Sequence, residues 1–329
     1  RPKSRVIGAC IDPSSLGFYT TDHAYISPRA DDPAFLDWLV DLCRRERIDG
    51  ILSGVEPVLD VLTHHAEEIH DRTAAVVVVS RPEQLAVCFD KLTTSRWLKE
   101  HGLHWPETAE ADARSAVDEL VRRCGYPLIA KPRRGKGSVG LLVIHDESHL
   151  RMIARRQDYA VQQCLGQLDQ EYTAATFTDS LGCLRGVIVM KRRLQHGTTV
   201  SAEVGAFPKV RQEVVRIAEA LRPVGPCNMQ LRMHHGRAVC FEINLRFSGT
   251  TPIRARFGFN DVEAAVRHFV LGEPPIELPT VTEGLALRYW NEIYVDPRQR
   301  SRLARTGTLN GSGDGLEAIE DYGIRRCES

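Results

Sequence analysis

The stretch Cys240-Phe-Glu-Ile-Asn-Leu-Arg-Phe-Ser248 decides how the rest of this chain is interpreted. It alternates apolar and polar side chains, which is the pattern of a β-strand that has one apolar and one polar face. Glu242, Asn244 and Arg246 are therefore predicted to leave the same face of the strand. That face offers a carboxylate, an amide and a guanidinium.

A second alternating run lies just upstream, in Asn228-Met-Gln-Leu-Arg232, and the turn-like His234-His-Gly-Arg237 joins it to the first. A hairpin built in this way would set Gln230 beside Glu242 and Asn244. Such an oxygen-rich cluster suits a hard cation such as Mg²⁺, with the neighbouring arginine placed for a phosphate. A half-solvated hairpin with an ordinary polar face is the alternative that this stretch leaves open.

Length and composition narrow the class of protein. The chain has 329 residues, nine cysteines scattered without a CxxC pair, and a formal net charge of +0 with both signs interspersed. Neither a nucleic acid nor a membrane is indicated as a partner, and the cysteines favour a reducing, cytoplasmic location. No signal peptide or membrane-length apolar run is present. A strand follows Arg1 almost at once, which leaves open an earlier strand outside the given sequence.

Residues 1–86 are predicted to form a Rossmann-like domain. Short β-branched runs alternate here with amphipathic helical stretches, as in a parallel sheet covered on both faces. Asp12-Pro-Ser-Ser-Leu-Gly17 follows the first strand without a GxGxxG pattern, so dinucleotide binding is not indicated. Glu56 follows a strand near the edge where such sheets bind ligands, although a place in the first turn of a helix is the simpler explanation.

Two lysines and a glycine-rich loop suit a phosphate ligand. Lys91 is predicted at the start of a helix capped by Asp90, where its charge opposes the helix dipole unless an anion is present. Lys131 ends a predicted strand, and Arg133-Arg-Gly-Lys-Gly-Ser-Val-Gly140 then combines glycines, basic residues and Ser138. This composition suits a loop that covers phosphates, although it is not a Walker A loop. Solvated lysines and a glycine-rich hairpin tip are the alternatives.

Taken together, these stretches resemble the ATP-grasp superfamily, in particular stand-alone proteins similar to the ATP-binding half of the carbamoyl-phosphate synthase large chain. The resemblance covers roughly residues 5–275 and depends on the order of several short motifs. They are Phe89-Asp-Lys91, Leu128-Ile-Ala-Lys-Pro132, the Gly/Ser loop, Val161-Gln-Gln-Cys-Leu165 with Glu171, Gln230, and Glu242-x-Asn244-x-Arg246. Two departures are Gln163-Cys164, where such proteins often have Glu-Tyr, and the missing proline between Asn244 and Arg246.

The resemblance implies a mixed fold, α/β and α+β. A Rossmann-like, pre-ATP-grasp parallel sheet over residues 1–86 would precede an ATP-grasp domain of two α+β subdomains over 87–275. Its mobile lid is expected at about 125–165, and a C-terminal extension would follow over 276–329. Within that extension, residues 306–315 match no motif.

The resemblance also assigns roles to individual residues. The nucleotide would be bound by Lys91, Lys131 and Ser138 at its phosphates, by the backbone from Gln163 to Leu165 at its adenine edge, and by Glu171 at its ribose. Mg²⁺, or Mn²⁺ in its place, would be held by Gln230, Glu242 and Asn244. Arg246 would stabilise the transferring phosphoryl group, and Lys191 is the second catalytic candidate.

The activity implied is that of an ATP-dependent carboxylate–amine or carboxylate–thiol ligase. Its partners would be small carboxylate and amine substrates, and the resemblance allows a homodimer. A carboxylate kinase or carbamoyl-phosphate-type enzyme, or a catalytically silent ATP-binding regulatory module, is the alternative. Arg254 and Arg256 are candidates to pair with an acidic substrate, unless they are solvated at a helix start.

Overall fold

The computed structural model describes residues 4–135, 139–166, 170–279, 283–290, 292–310 and 316–318. Its internal contacts divide the chain into two compact units. One unit contains the described residues up to Glu46 and from Tyr289 onward, and the other is Arg47–Arg288. In the described ranges no helix combines the length and apolarity that crossing a membrane requires. Every described candidate site residue lies in the second unit.

The strands are, in chain order, β1 (Ile7–Cys10), β2 (His23–Ile26), β3 (Gly50–Ile51), β4 (Val76–Val77), β5 (Thr108–Glu110), β6 (Leu128–Pro132), β7 (Leu142–Ile144), β8 (Tyr159–Gln163), β9 (Glu171–Thr178), β10 (Leu184–Gln195), β11 (Thr198–Val204), β12 (Gly225–His234), β13 (Arg237–Asn244), β14 (Gly284–Leu287), β15 (Ile293–Val295), β16 (Thr308–Asn310) and β17 (Leu316–Ala318).

The helices are α1 (Phe35–Glu46), α2 (Glu56–His64), α3 (Ala66–Thr73), α4 (Pro82–Phe89), α5 (Lys91–Glu100), α6 (Arg114–Cys124), α7 (Glu147–Ile153), α8 (Pro208–Leu221), α9 (Thr251–Arg256), α10 (Asp261–Ala265) and α11 (Pro297–Thr306). A 3₁₀ turn lies at Leu16–Tyr19, and a π-helical turn at Val266–Val270 continues α10.

The first unit is built on a small three-stranded sheet in the order β1-β2-β16. β1 runs parallel to β2, and β16 pairs antiparallel with β2. Its core is formed by Phe18, Tyr19, Ala24, Leu303 and Leu309, so residues of α11 and β16 complete a core begun near the N-terminus. The segment 306–315, which matched no motif, includes β16. Its residues 311–315 lie outside the described part of the chain.

The parallel strand pairing predicted for the N-terminal part is confirmed, and it occurs as two separate pairs of strands. Besides β1 with β2, strands β3 and β4 pair in parallel within the second unit. Helices α2 and α3 connect β3 to β4, as expected for a βαβ crossover. The mixed α/β class expected from the sequence is therefore confirmed.

The second unit is organised around a six-stranded sheet in the order β13-β12-β9-β10-β11-β14. All neighbouring strands in it are antiparallel. Helix α8 covers one face, where Val214 and Ile217 pack with Cys227 and Met229. The opposite face carries a second apolar cluster that includes Phe177 and Ile188. Because both faces are covered, polar groups can collect only toward the ends of its strands.

A separate four-stranded sheet, in the order β5-β8-β6-β7, contains three strands of the region predicted as the lid together with β5, which precedes that region. Its apolar side packs with α6 and α7 through Val117, Leu128, Ile144 and Leu150. β6 carries Lys131 near its end, and β8 leads directly into the segment predicted to contact adenine. This small sheet therefore supplies two of the predicted nucleotide contacts from outside the main sheet.

Candidate active site

β12 and β13 form the hairpin that the sequence predicts, and Gln230 lies beside Glu242 in it. Gln230 lies opposite Glu242, and Asn228 lies opposite Asn244. The register shifts just after Gln230, so that Phe241 has no residue opposite it. A bulge of this kind re-aims a side chain, and Phe241 and Glu242 both line the same cavity as a result. Simple alternation did not predict the exposure of Phe241 to the site.

The three predicted metal ligands are brought together around Glu242. Its Oε1 accepts hydrogen bonds from Asn244 Nδ2 at 2.9 Å and from Gln230 Nε2 at 3.4 Å. The amide oxygens point the other way, toward guanidinium groups. Gln230 Oε1 accepts from Arg192 Nη2 at 2.9 Å, and Asn244 Oδ1 accepts from Arg246 Nη2 at 3.3 Å.

These groups fit a single hard cation. Mg²⁺ is usually held by one or two carboxylates and completes its shell with water and phosphate oxygens. Half a turn of each amide group exchanges its nitrogen for its oxygen, which would direct the oxygens of Gln230 and Asn244 toward Glu242. Within the described residues no cluster of three or more His, Cys, Asp or Glu side chains could hold a metal. A cation here would therefore depend on the two amides and on oxygens supplied by a ligand.

Arg246 is held by a carboxylate that the sequence did not single out as a site residue. Its Nη2 donates to Glu56 Oε1 at 2.8 Å, and the exposed fractions of the two side chains are 12% and 17%. Glu56 is the first residue of α2, as its sequence position indicated, but its side chain points to the site. Arg246 Nε is buried and has no partner within the described residues. A second anion beside this guanidinium would satisfy it.

Glu171 lies between two arginines. Its Oε1 accepts from Arg192 Nη2 at 2.7 Å, and its Oε2 accepts from Arg232 Nη2 at 2.6 Å. The residue is only 4% exposed, so this double ion pair is buried. Both oxygens are thus already engaged, and the ribose contact assigned to Glu171 stays a prediction.

The structure does not bring Lys191 to the site. Its partners across the sheet are Tyr172 and Glu203, and Tyr172 belongs to the core on the α8 face. The next residue along the strand, Arg192, points to the opposite face and reaches Gln230. In the part of the chain that the structure describes, Lys191 lines neither cavity of the site. Because successive side chains of a strand leave opposite faces, Arg192 faces the site and Lys191 does not.

Lys131 is almost fully buried beside Phe241. It is 7% exposed, and its Nζ lies 5.4 Å from the centroid of the Phe241 ring. Burial lowers the pKa of Lys131 from 10.5 to about 8, and the charges of Lys91 and Arg232 act in the same direction while Glu242 opposes them. Near neutral pH the ammonium form of Lys131 is therefore only weakly favoured, and a bound anion would stabilise it.

Lys91 and the beginning of the glycine-rich loop lie together. Lys91 is the first residue of α5, and Asp90 caps that helix, as predicted. Lys91 Nζ donates to the carbonyl of Gly135 at 2.8 Å, and Arg133 forms a 2.8 Å ion pair with Asp90. Ser138 lies outside the described residues, so its predicted phosphate contact stays a prediction.

The segment predicted to contact adenine is held against the tip of the β12–β13 hairpin. The N–H of Gly166 donates to His234 Nδ1 at 3.1 Å, which leaves Nε2 to carry the ring proton, 3.0 Å from the side-chain amide nitrogen of Gln163. Arg232 Nη1 donates to the carbonyl of Leu165 at 3.4 Å. Gly166 has a φ of +48°, and a Cβ there would lie 2.1 Å from the carbonyl oxygen of Met233. We call residues 163–166 the hinge segment.

Two cavities meet at this site. The smaller, of about 120 Å³, is lined by the two lysines and by Glu171, Arg232 and Phe241. The larger, of about 400 Å³, is lined by Asn244, Arg246, Arg288 and several hydroxyl groups. Gln230 and Glu242 line both cavities, so the predicted metal position lies where the two spaces join.

Arg254 is not available to a substrate. Its side chain is fully buried and forms an ion pair with Asp261, whose side chain is also fully buried. Arg254 Nη1 donates to Ser248 Oγ at 3.2 Å, so Arg254 helps to fix the loop that contains Ser248. Arg256 is exposed and lines neither cavity in the described part of the chain.

Comparisons with known proteins agree with this geometry. Residues 2–77 match a family described as a PylC-like N-terminal domain, and residues 168–293 match one described as ATP-grasp in the biosynthetic pathway with Ter operon. The carbamoyl phosphate synthase large chain of Methanosarcina barkeri is 22% identical over 257 residues, which cover 72% of this chain and 24% of that protein. The chain thus spans about a quarter of the length of this curated relative.

Solved structures with a similar backbone include two enzymes crystallised with ADP. The biotin carboxylase domain dimer of Hydrogenobacter thermophilus 2-oxoglutarate carboxylase, in complex with MgADP, ADP and bicarbonate, has a TM-score of 0.68 at 16% identity, covering 89% of this chain and 70% of that one. N5-carboxyaminoimidazole synthetase of Staphylococcus aureus, complexed with ADP, has a TM-score of 0.67 at 13% identity, covering 92% and 78%. At these identities the likeness shows a shared fold.

Proposed function

We propose that this chain, which is similar to proteins of the ATP-grasp superfamily, is an ATP-dependent ligase that activates a carboxylate as an acyl phosphate. The observation that carries the proposal is the meeting of two cavities at Gln230 and Glu242. One cavity is lined by lysines and an aromatic ring, and the other by arginines and hydroxyl groups. A γ-phosphate at the junction would face a second substrate in the larger cavity.

The smaller cavity suits the phosphates of the nucleotide. Phe241 lines it beside Lys131 and Arg232, whereas the adenine contact proposed for the hinge segment lies outside the described lining of this cavity. Lys131 and Lys91 supply the charge that a triphosphate requires, and Lys91 lies next to the glycine-rich loop. Arg232 and Glu171 line the same space, where the ribose is expected.

The metal position is proposed at Glu242, with oxygens of Gln230 and Asn244 completing the protein's share of the ligands. A magnesium ion held there would supply positive charge that offsets the charge of the phosphates during transfer. Without a metal, Arg192 and Arg246 donate to the two amide oxygens, and these two hydrogen bonds would be given up when the oxygens turn to the cation. The two arginines would then add positive charge beside the phosphates without forming covalent bonds.

In the proposed reaction, a carboxylate oxygen attacks the γ-phosphorus, and the bond between that phosphorus and the β,γ-bridging oxygen breaks to release ADP. Arg246 lines the larger cavity, where its guanidinium would contact the carboxylate and the phosphoryl oxygens. An amine nitrogen, or a thiol sulfur, then attacks the acyl carbon and loses a proton while inorganic phosphate leaves. The amine is the better-supported acceptor by family resemblance.

The test uses purified protein with Mg-ATP and pools of small carboxylates. Hydroxylamine serves as the nucleophile because it converts acyl phosphates into hydroxamates. We expect pool-dependent ADP, phosphate and hydroxamate, without AMP. Glu242→Gln should abolish this turnover without loss of the fold, and Glu219→Gln, at an exposed position on α8, should leave it unchanged. AMP as the product, or full activity of the Glu242 variant, contradicts the proposal.

Two other outcomes correspond to the alternatives. ADP formation with an acyl phosphate that accumulates and reacts with no amine would indicate a carboxylate kinase. Tight ATP binding without release from any pool would indicate a nucleotide-binding regulatory module.

A further inference from the structure

The larger cavity has a charge pattern that the proposed ligase chemistry alone does not explain. Three arginines line it: Arg192, Arg246 and Arg288. Arg192 shares Glu171 with Arg232, and Arg246 pairs with Glu56. Arg288 is exposed, has no carboxylate within ion-pair distance among the described residues, and donates only to the carbonyl of Gly249, at 2.7 Å. Among the described residues, Arg288 is therefore the arginine of this cavity that no carboxylate engages.

The position of Arg288 follows from the sheet. β14 pairs with β11, with Ala286 opposite Ala202, and β11 pairs with β10, with Ala202 opposite Arg192. Arg288 lies two residues beyond Ala286, and its N–H continues the ladder to the carbonyl of Val200 at 2.9 Å. Side chains two residues apart share a face, so Arg288 and Arg192 lie on the same side of the sheet.

Neutral hydrogen-bonding groups lie beside Arg288. Ser248 and Thr250 are on the loop whose Gly249 carbonyl it contacts, and their hydroxyl oxygens are 2.8 Å apart. Ser248 Oγ accepts from the fully buried Arg254 and donates to Asn228 Oδ1 or to Thr250 Oγ1, so its proton is already engaged and the Thr250 hydroxyl is left to donate to a ligand. An arginine with an adjacent hydroxyl donor is an arrangement that recognises carboxylate and phosphate oxygens.

The cavity offers little to a cation. Of its described lining residues, Glu242 is the one carboxylate, and the amides and the proposed metal already occupy it. The ammonium group of an amino acid would therefore lose its hydration without gaining an ion pair, which is costly. This argues against a zwitterionic substrate.

We propose that the substrate is a carboxylic acid with a second anionic group and no ammonium group. Its reacting carboxylate lies at Arg246, and its second anion, a carboxylate or a phosphate, binds Arg288 with the Thr250 hydroxyl. This inference rests on the proposed function for the role of the first carboxylate. The second-anion site is a property of Arg288 and can be measured without turnover.

The test is calorimetric titration of the full chain saturated with Mg²⁺ and a non-hydrolysable ATP analogue. The probes are propionate, succinate, 3-phosphonopropionate and aspartate. Succinate or 3-phosphonopropionate should bind at least about tenfold more tightly than propionate and aspartate, since one charge-assisted hydrogen-bonded pair is gained. The tighter of these two probes identifies the second anion as a carboxylate or a phosphate.

Substitution then assigns the site. Arg288→Gln should weaken binding of the dianion about 10- to 100-fold and change propionate binding less than about twofold, and Arg288→Lys should restore part of the loss. Arg193→Gln is the matched control, because Arg193 is exposed and lies opposite Ser201, on the other face of the same strands. If Arg288→Gln weakened the binding of propionate and of the dianion equally, the role of Arg288 would be to tether the Gly249 loop, and the proposal would be overturned. Equally tight binding of propionate and the dianion by the parent protein would also overturn it.

The same protein separates this inference from the ligase function. Arg288-dependent dianion binding without ADP or hydroxamate formation would leave the anion site in place and contradict the ligase. Hydroxamate formation that is as efficient with propionate as with succinate would support the ligase and overturn the second-anion site.

Discussion

Glu56 Oε1 accepts a hydrogen bond from Arg246 Nη2 at 2.8 Å, although the two residues are 190 positions apart in the chain. The contact joins the start of α2 to the segment just after β13. Replacing Glu56 with Gln keeps the shape of the side chain and removes its charge. We expect turnover to fall by roughly tenfold, because Arg246 loses the ion pair that orients it. Steady-state kinetics should show the loss in kcat, with the dissociation constant of ATP unchanged.

Glu67→Gln is the control for this prediction, since Glu67 is exposed in the first turn of α3. Unchanged kcat in Glu56→Gln would mean that Arg246 is oriented by its other contacts alone.

Gly166 in the hinge segment should not tolerate a side chain. A Cβ there would lie 2.1 Å from the carbonyl oxygen of Met233, at a φ of +48°. Gly166→Ala should therefore displace the hinge and raise the dissociation constant of ATP by at least about tenfold. Gly102→Ala is the matched control, because Gly102 has a φ of +64° with no atom within 4 Å of the new Cβ. Equal effects of the two variants would assign the loss to backbone strain alone.

ATP affinity should fall in mild acid because of His234. Burial lowers the pKa of His234 below its ordinary value of 6.5, and His235 adds to this effect. Neutral Nδ1 accepts the Gly166 N–H, so the contact is present above this pKa and is lost as the pH falls through it. His234→Asn keeps an acceptor at a similar place and does not titrate. Between about pH 5 and 7 the ATP affinity of the variant should change less than that of the parent protein.

Proton uptake on ATP binding is expected near pH 8. Burial lowers the pKa of Lys131 to about 8, and a bound triphosphate would stabilise its charged form and raise that pKa again. Calorimetry in buffers of different ionisation enthalpy at pH 8 should detect uptake of roughly half a proton. Lys131→Met should bind ATP more weakly and without this uptake. Equal uptake in the variant would assign the proton to another group.

The buried pair of Arg254 and Asp261 should be important for stability. Both side chains are fully buried, and Arg254 Nε and Asp261 Oδ1 have no other partner in the described part of the chain. Arg254→Ala leaves an uncompensated buried carboxylate, so the free energy of unfolding should fall by about 3–5 kcal/mol. Chemical denaturation measures this change. Arg256→Ala, at an exposed position on the same helix, should change it by less than about 0.5 kcal/mol.

Much of the site could be predicted because it depends on short-range regularities. The hairpin follows from two alternating runs joined by a tight turn, and the common face of Glu242 and Asn244 follows from period-two alternation. The pairing of Gln230 with Glu242 depends on the bulge at Phe241 as well. The start of α5 at Lys91 follows from the Asp90 cap. In each case neighbouring residues determine the geometry, and such interactions can be recognised in the sequence.

Other features of the site could not be predicted. Lys191 and Arg192 are adjacent basic residues, and composition does not say that Arg192 is the one that reaches Gln230. The bulge at Phe241 shifts the alternation by one residue, and no residue type in that stretch marks it. Arg254 resembled a substrate contact in the sequence because its partner, Asp261, becomes visible only when the two helices pack.

The sequence by itself determined the mixed fold class, the hairpin with its carboxylate and amides, and the two lysines near a glycine-rich loop. Only the tertiary structure decided the partners of these groups: Glu56 for Arg246, two arginines for Glu171, His234 for the hinge segment, and no carboxylate within the described residues for Arg288. The physical reason is the distance along the chain between the residues that interact. Alternation and helix caps act between residues a few positions apart, whereas ion pairing and burial depend on which distant segments the folded chain brings together.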